Sequence, residues 1–413
     1  DGGTFDGIIS TSSAGTNNLR IGENAGDAIA SGGNYNVVLG DEAGTAITTG
    51  DNNVAVGYNA LATNTTASTN TAVGYQAAYS NQTGVGITAF GANALYATTA
   101  SDNCGIGTDN PGNYAAALEN NTTGRFNTAV ATGALGSNTE GNYNTAVGHS
   151  AGASVSTGDE NVMIGYVAGD AINTSSQNVA VGAYALTADT KGSKSVAIGR
   201  GTLNAQNFTS ATDSFNTAVG DKAGYAVTTG IKNTLIGAEA GDALTDADFN
   251  TALGYKALSA DTKGSNNVAI GYQALMTQNF TSATDSVNTA VGHNCGTSIT
   301  TSKGNALLGA NAGDAITTGL YNTCIGAIAG SDITEGEGNV MIGYSAGSYS
   351  NDFITGSQNN CIGAYTVAGG TSDVGANSLG YNCMVTRLGQ QYLMKDTKRI
   401  LKMLKQVFRL LML

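Results

Sequence analysis

A single spacing limits what this chain can fold into. A glycine closes a short apolar segment at Gly148, Gly165, Gly182 and Gly199, again at Gly220, Gly237, Gly254 and Gly271, and in further copies from Gly22 to Gly380. Fourteen of the twenty successive intervals are 17 residues, with Ala131 standing at one expected glycine position. A period this short and regular marks a repeat array, in which each unit is completed only by its neighbours. The fullest copies are Asn161-Val162-Met163-Ile164-Gly165-Tyr166-Val167-Ala168-Gly169 and Asn339-Val340-Met341-Ile342-Gly343-Tyr344-Ser345-Ala346-Gly347, with Asn250-Thr251-Ala252-Leu253-Gly254-Tyr255-Lys256-Ala257-Leu258 as a variant.

Within a unit the residues before the glycine alternate, which predicts a strand of four or five residues. Glycine then breaks it. Ala168-Gly169-Asp170-Ala171-Ile172 is expected to form a second short strand on the return side, and runs such as Thr228-Thr229-Gly230 to close the coil. Such a coil cannot bury its own apolar face, but stacking on the next coil buries it and satisfies the backbone through parallel ladders. Asn, Gly and Thr oppose helix, and the unit is too short for a helical repeat. The expected fold is therefore all-β, a parallel β-roll or β-helix solenoid, with some 20 coils giving a rod of roughly 95 Å.

With Val162 and Ile164 taken as pointing into the coil, the Met163 row points out. That row includes Ala146, Met163, Ala180, Ala197, Ala218, Leu235, Ala252, Ala269, Leu307 and Met341. An outward row so apolar calls for a cover, and its small residues suit another backbone. The expectation is an oligomer interface along it.

The period is broken between Gly107 and Ala131, Gly199 and Gly220, Gly271 and Gly292, and Gly343 and Gly363. Two of these longer units carry near-copies, Asn207-Phe208-Thr209 and Asn279-Phe280-Thr281, which stand four coils apart as if a four-coil block had been duplicated. Insertions in a solenoid map to loops, and loops carry binding. Asn207, Phe208, Thr209, Asn279, Phe280 and Thr281 are thus candidate receptor contacts, an aromatic ring beside amides and hydroxyls. Tyr114 and Phe353 in the other two long units join them. Packing against a neighbouring chain is the alternative use of these loops.

Composition narrows the chemistry. Charged residues are 11% of the chain and the net charge is −13, which argues against nucleic acid as a partner, since that needs clustered Lys and Arg. Five cysteines, Cys104, Cys295, Cys324, Cys361 and Cys383, contain no CxxC pair and read as apolar fillers. His149 and His293 each follow an anchor glycine, where tyrosine is usual, and read as repeat substitutions. HExxH, GxSxG and P-loop patterns are absent, so the chain is read as a non-enzyme without cofactor, catalytic residues or metal. Asp170, Asp242 and Asp314 recur after Ala-Gly, and a solvated turn is preferred for them over a cation ladder. No apolar run is long enough to span a bilayer, hence no membrane helix is expected. The chain opens at Asp1 rather than Met, so an upstream region is expected to be missing.

Residues 1–17 form a lead-in and 18–383 the repeat domain. In 384–413 the composition changes. Leu393, Ile400 and Val407 lie seven apart among Lys395, Lys398, Arg399, Lys402, Lys405 and Arg409. This predicts a C-terminal amphipathic helix for oligomerisation, with a basic membrane-surface segment as the alternative.

Asn144-Thr145-Ala146-Val147-Gly148, Ser195-Val196-Ala197-Ile198-Gly199 and Asn267-Val268-Ala269-Ile270-Gly271-Tyr272-Gln273-Ala274-Leu275 resemble the head repeats of YadA-like trimeric adhesins. They are still more similar to the Asn-Thr-Ala-Val-Gly-Tyr repeats of bacteriophage tail fibres. The resemblance spans about 18–383. It implies a left-handed parallel β-roll, a homotrimer and attachment to a cell surface. The adhesin repeat is usually shorter than this one, the adhesin anchor barrel is missing, and the C-terminal stretch is too short for a self-cleaving fibre chaperone. The expectation is a virion tail fibre bound to other tail or baseplate proteins and reaching a host surface glycan or protein. A bacterial surface adhesin head and a purely structural extracellular filament are the alternatives.

Overall fold

A computed structural model describes residues 14–110, 114–348, 355–368 and 374–381, and the backbone of Met384–Val385. Two compact units divide the chain, Asp1–Lys222 and Ala223–Leu413, and the described part of each is an all-β parallel solenoid. One three-residue strand per coil precedes the anchor glycine. In the first unit Val162–Ile164 lies between Thr145–Val147 and Val179–Val181, parallel and residue for residue. In the second, Thr251–Leu253 lies likewise between Thr234–Ile236 and Val268–Ile270. Of the stretch expected as a C-terminal helix, Met384–Val385 is a short strand beside Val367–Ala368; the rest falls outside the described residues, as does most of the lead-in.

The return side is not a second strand. In the coil of Gly165 the chain is left-handed at Glu160 (φ 59°), Val167 (φ 57°) and Gly169 (φ 57°), and a strand cannot absorb such residues. The corner backbone pairs between coils instead, as in Val167 N–H to the His149 carbonyl at 3.0 Å and Gly169 N–H to the Ala185 carbonyl at 2.9 Å. Short second strands do occur where Thr212–Asp213 and Thr284–Asp285 of the two longer coils pair with Gly192–Ser193 and Gly264–Ser265 of the coils before them, and where Val367–Ala368 pairs with Met384–Val385. The anchor glycine stacks backbone on backbone. At Gly165 φ is 137°, and a Cβ would lie 2.7 Å from the Gly182 carbonyl carbon and oxygen.

The strand faces are the reverse of the expectation. Ala146, Met163, Ala180, Ala197, Ala218, Leu235, Ala252, Ala269, Leu307 and Met341 are buried inside the coil, while Val162 and Ile164 point outward. A row wholly buried within one chain lines no interchain surface, so the interface assigned to it is withdrawn. The reason is the narrow interior, which is filled from the turn side. Four residues after the anchor stands in most coils either leucine, as at Leu61, Leu135, Leu186 and Leu258, or glycine, as at Gly44, Gly169, Gly241 and Gly313, with Ala78 and Val367 as exceptions. Against leucine the strand centre is Ala55, Ala129, Ala180 or Ala252; against glycine it can enlarge to Val38, Met163, Leu235 or Leu307.

Seven residues after the anchor the choice follows suit. Glycine coils place Ile47, Ile172, Leu244 or Ile316 there, and leucine coils place Asn64, Asn138, Asp189 or Asp261. A Cβ on Gly169 would lie 2.9 Å from Ile172 Cδ1 and 3.0 Å from Met163 Cγ. Where the isoleucine is absent, the polar residue ties the corner, as when Asn138 Nδ2 donates to the Gly141 carbonyl at 3.0 Å. Two coil types thus fill one cross-section. Gly169→Leu alone should cost about 2–4 kcal/mol from overpacking and a left-handed leucine. Adding Met163→Ala and Ile172→Asn converts the coil to the leucine type and should return most of that loss in denaturant melts.

Asparagine four residues before the anchor forms the second core element. Asn144, Asn161 and Asn178 are fully buried. Asn144 Oδ1 accepts from both the backbone N–H and Nδ2 of Asn161 at 3.0 Å, and Asn161 Nδ2 also donates to the Ser175 carbonyl at 2.9 Å. The second unit repeats this from Asn250 to Asn339, with Asn267 N–H on Asn250 Oδ1 at 3.0 Å. Asn161→Leu keeps the volume but strands a buried donor and acceptor, and should lower stability by about 2–5 kcal/mol, read as a drop in denaturation midpoint.

Candidate interaction surface

The outward strand residues build an uncharged, largely aliphatic face on each unit. In the first unit it carries Phe90 (56% exposed), Ile106, Val147, Ile164 and Ile198, and in the second Leu253, Leu308 (50% exposed) and Ile325. The first outward position of each strand is valine or threonine in most coils. Threonines such as Thr71, Thr128 and Thr251 therefore lie on the sheet as well as in the turns.

The residue after the anchor glycine adds an exposed aromatic row beside this face. Tyr58 stacks on Tyr75 at 5.7 Å, Tyr255 on Tyr272 at 5.7 Å, and Tyr272 on His293 at 5.1 Å. His149 stacks on Tyr166 at 5.6 Å. Both histidines are members of these ladders. Rings in a ladder turn their faces to one another and leave edges and hydroxyls outward, which disfavours stacking on a sugar.

The duplicated inserts are anchored from inside. Phe208 and Phe280 are buried, 4% and 5% exposed, so they are not projecting receptor contacts. The four extra residues let the ring turn into the coil over a glycine, where a Cβ on Gly192 would sit 2.7 Å from Phe208 Cδ2. Beneath it, Asp189 accepts from Gln206 Nε2 at 2.6 Å and from the Gly192 amide at 2.8 Å. Burial pushes its carboxyl up, while these bonds and the Lys191 and Phe208 amides pull it back. Asp261 takes the same bonds from Gln278, Gly264 and Phe280. The sequence signal for this anchor was present in Asp189 and Gln206, which share one repeat position.

Asn207, Thr209, Asn279 and Thr281 are exposed. Asn207 Oδ1 and Asn279 Oδ1 accept from Thr190 and Thr262 hydroxyls at 3.0 and 3.1 Å. Tyr114 is exposed and meets the His149 ring edge-on at 4.4 Å. Phe353 lies outside the described residues.

Cys295, Cys324 and Cys361 are buried, and burial pushes the Cys295 thiol up to about 12. Cys104 is half-buried on the outer sheet face. Among the described residues no three His, Cys, Asp or Glu side chains are grouped to hold a metal ion, and no helix is long and apolar enough to cross a membrane. No family model, curated protein or solved structure matches the chain.

Asp170 and Asp314 are half-buried, and each has one carboxylate oxygen buried without a hydrogen-bond partner. Burial raises both above the usual value of 3.8, and Asp332 adds to this at Asp314. A folded-state value above the unfolded one contributes stability that is full below the unfolded value and lost as pH rises through the folded one. Asp170→Asn and Asp314→Asn should therefore raise the melting temperature at neutral pH. The gain should vanish below about pH 3.8 in melts across the range.

Proposed function

We propose that this chain is the shaft of a homotrimeric attachment fibre on a virion tail, carrying binding loops to a host cell surface. The observation that supports it best is the repeated insert. Gln206–Ser214 and Gln278–Ser286 are identical in sequence, one in each unit. Buried Phe, Gln and Asp explain part of that identity. They do not explain the exposed tip residues Thr209, Ser210 and Ala211, which also match, while the exposed neighbour differs at Phe215 against Val287. Repetition of an exposed tip is what a multivalent ligand-binding surface requires, because linked weak sites gain avidity without new contacts.

The candidate contacts move accordingly from the phenylalanines to the tips. Hydroxyls at an exposed loop suit hydrogen bonding to a glycan or a polar protein patch. Exchanging Thr209-Ser210-Ala211 and Thr281-Ser282-Ala283 for three glycines each should weaken adsorption to host cells at least tenfold with melting nearly unchanged. Unchanged adsorption would refute the loop assignment. Immunogold labelling of particles tests the virion location, and labelling confined to a bacterial surface would favour the adhesin head.

A further inference from the structure

We propose that the outer sheet face is where copies of this chain meet, packed side by side with equal coils at equal height. This rests on the self-associating fibre reading and names the surface by which it is achieved.

The strand pattern is inverted relative to a sheet with one wet side. Such a sheet alternates apolar inward and polar outward. Here the inward residue is usually alanine, as in Ala146, Ala180 and Ala252, and the outward residue after it is Val147, Val181 or Leu253. The larger aliphatic faces solvent in the isolated chain. No Asp, Glu, Lys or Arg occupies either outward row of the strands from Leu19–Ile21 to Thr217–Val219, or from Thr234–Ile236 to Asn377–Leu379. Charges lie beside these two rows, at Lys194 and Asp213 on one side and, in the row after the anchor glycine, at Glu23, Asp41, Arg200 and Asp221. An aliphatic row beside a row of valine and threonine, both without charge, marks a contact site.

Period and area select a second copy as occupant. Side chains along this face recur once per coil, about 4.8 Å apart, and interdigitation along many coils needs a partner with the same period. Another copy of the chain has it. In the first unit the face is twelve strands long, about 55 Å by about 13 Å when the row after the anchor glycine is included, or about 700 Å²; that row holds Glu23, Asp41, Arg200 and Asp221 at its two ends and is free of Asp, Glu, Lys and Arg from Tyr58 to Ala183. That area is close to the roughly 800 Å² per partner of a stable interface. Three copies can turn one face toward each other only around an axis running along the coil stack, which sets identical coils opposite one another.

Cys104 makes the register testable, since it lies on this face and the other described cysteines are buried. In the full chain carrying Cys383→Ser, mild oxidation should give a covalent dimer abolished by Cys104→Ser. Ile164→Lys with Ile198→Lys, together with Leu253→Lys and Ile325→Lys, should convert the oligomer to monomer by sedimentation velocity with circular dichroism retained. Thr122→Lys, at an exposed corner off this face, should leave the oligomer intact. A wild-type chain that is monomeric at about 10 µM, or an oligomer that survives the four lysines and forms no Cys104 cross-link, overturns the proposal. If the lysine variant fails to fold, the cross-link alone decides. Adsorption lost with the loop tips but retained with the lysines would separate the attachment reading from this interface.

Discussion

The buried asparagine ladder is the constraint on which each solenoid depends. A coil with a single three-residue strand leaves many backbone groups that the strand ladder does not reach. Asn161 engages three of them or their equivalents at once: it receives the Asn178 N–H at 3.0 Å, donates to the Ser175 carbonyl at 2.9 Å and donates to Asn144 Oδ1. Unpaired in a dry interior, such groups would each cost about 1–3 kcal/mol. Asparagine suits the position because one amide both donates and accepts; aspartate could not donate and leucine could do neither. Where Ser195 replaces it, the repair is local. Gln206 donates to Ser195 Oγ at 2.8 Å and accepts from Asn216 Nδ2 at 2.9 Å.

With the corners held by amides, the remaining interior is small and its volume is shared out. Leucine from the turn meets alanine from the strand, and glycine from the turn meets methionine, leucine or valine. Each exchange conserves filled volume, the property a close-packed core tolerates best. The solenoid can thus vary its sequence coil by coil without changing cross-section. Its outside faces are then free to differ, and they do: an uncharged sheet face, an aromatic row beside it, and inserts that open where the period lengthens.

This division of labour bears on function. The inward groups are committed to holding coils together, and the buried thiols and carboxylates are either inert by burial or tied to backbone amides. The surface carries what specificity the chain has. An uncharged outward sheet face and a repeated exposed loop tip are compatible on one coil because they come from different stretches of it, the strand and the corner after Gln206.

Much of the fold was legible in the sequence because the period is a one-dimensional signal. Glycine at a short fixed interval, short alternating segments and the abundance of Asn, Gly and Thr, which oppose helix, lead to a stacked parallel β-solenoid without any three-dimensional knowledge. The duplicated block and the longer coils were equally visible. Three matters were decided only by tertiary structure. Alternation shows that Val162 and Ile164 share a face but carries no sign; the narrow interior decided that Met163 is inside. The return stretch reads as a strand by composition, yet left-handed residues at Val167 and Gly169 make it a corner. Phe208 reads as a projecting ring, and only the space above Gly192 shows that it is a plug. Periodicity specifies which residues are equivalent, while direction and depth depend on how much volume the coil encloses, a property of the closed cross-section rather than of any segment.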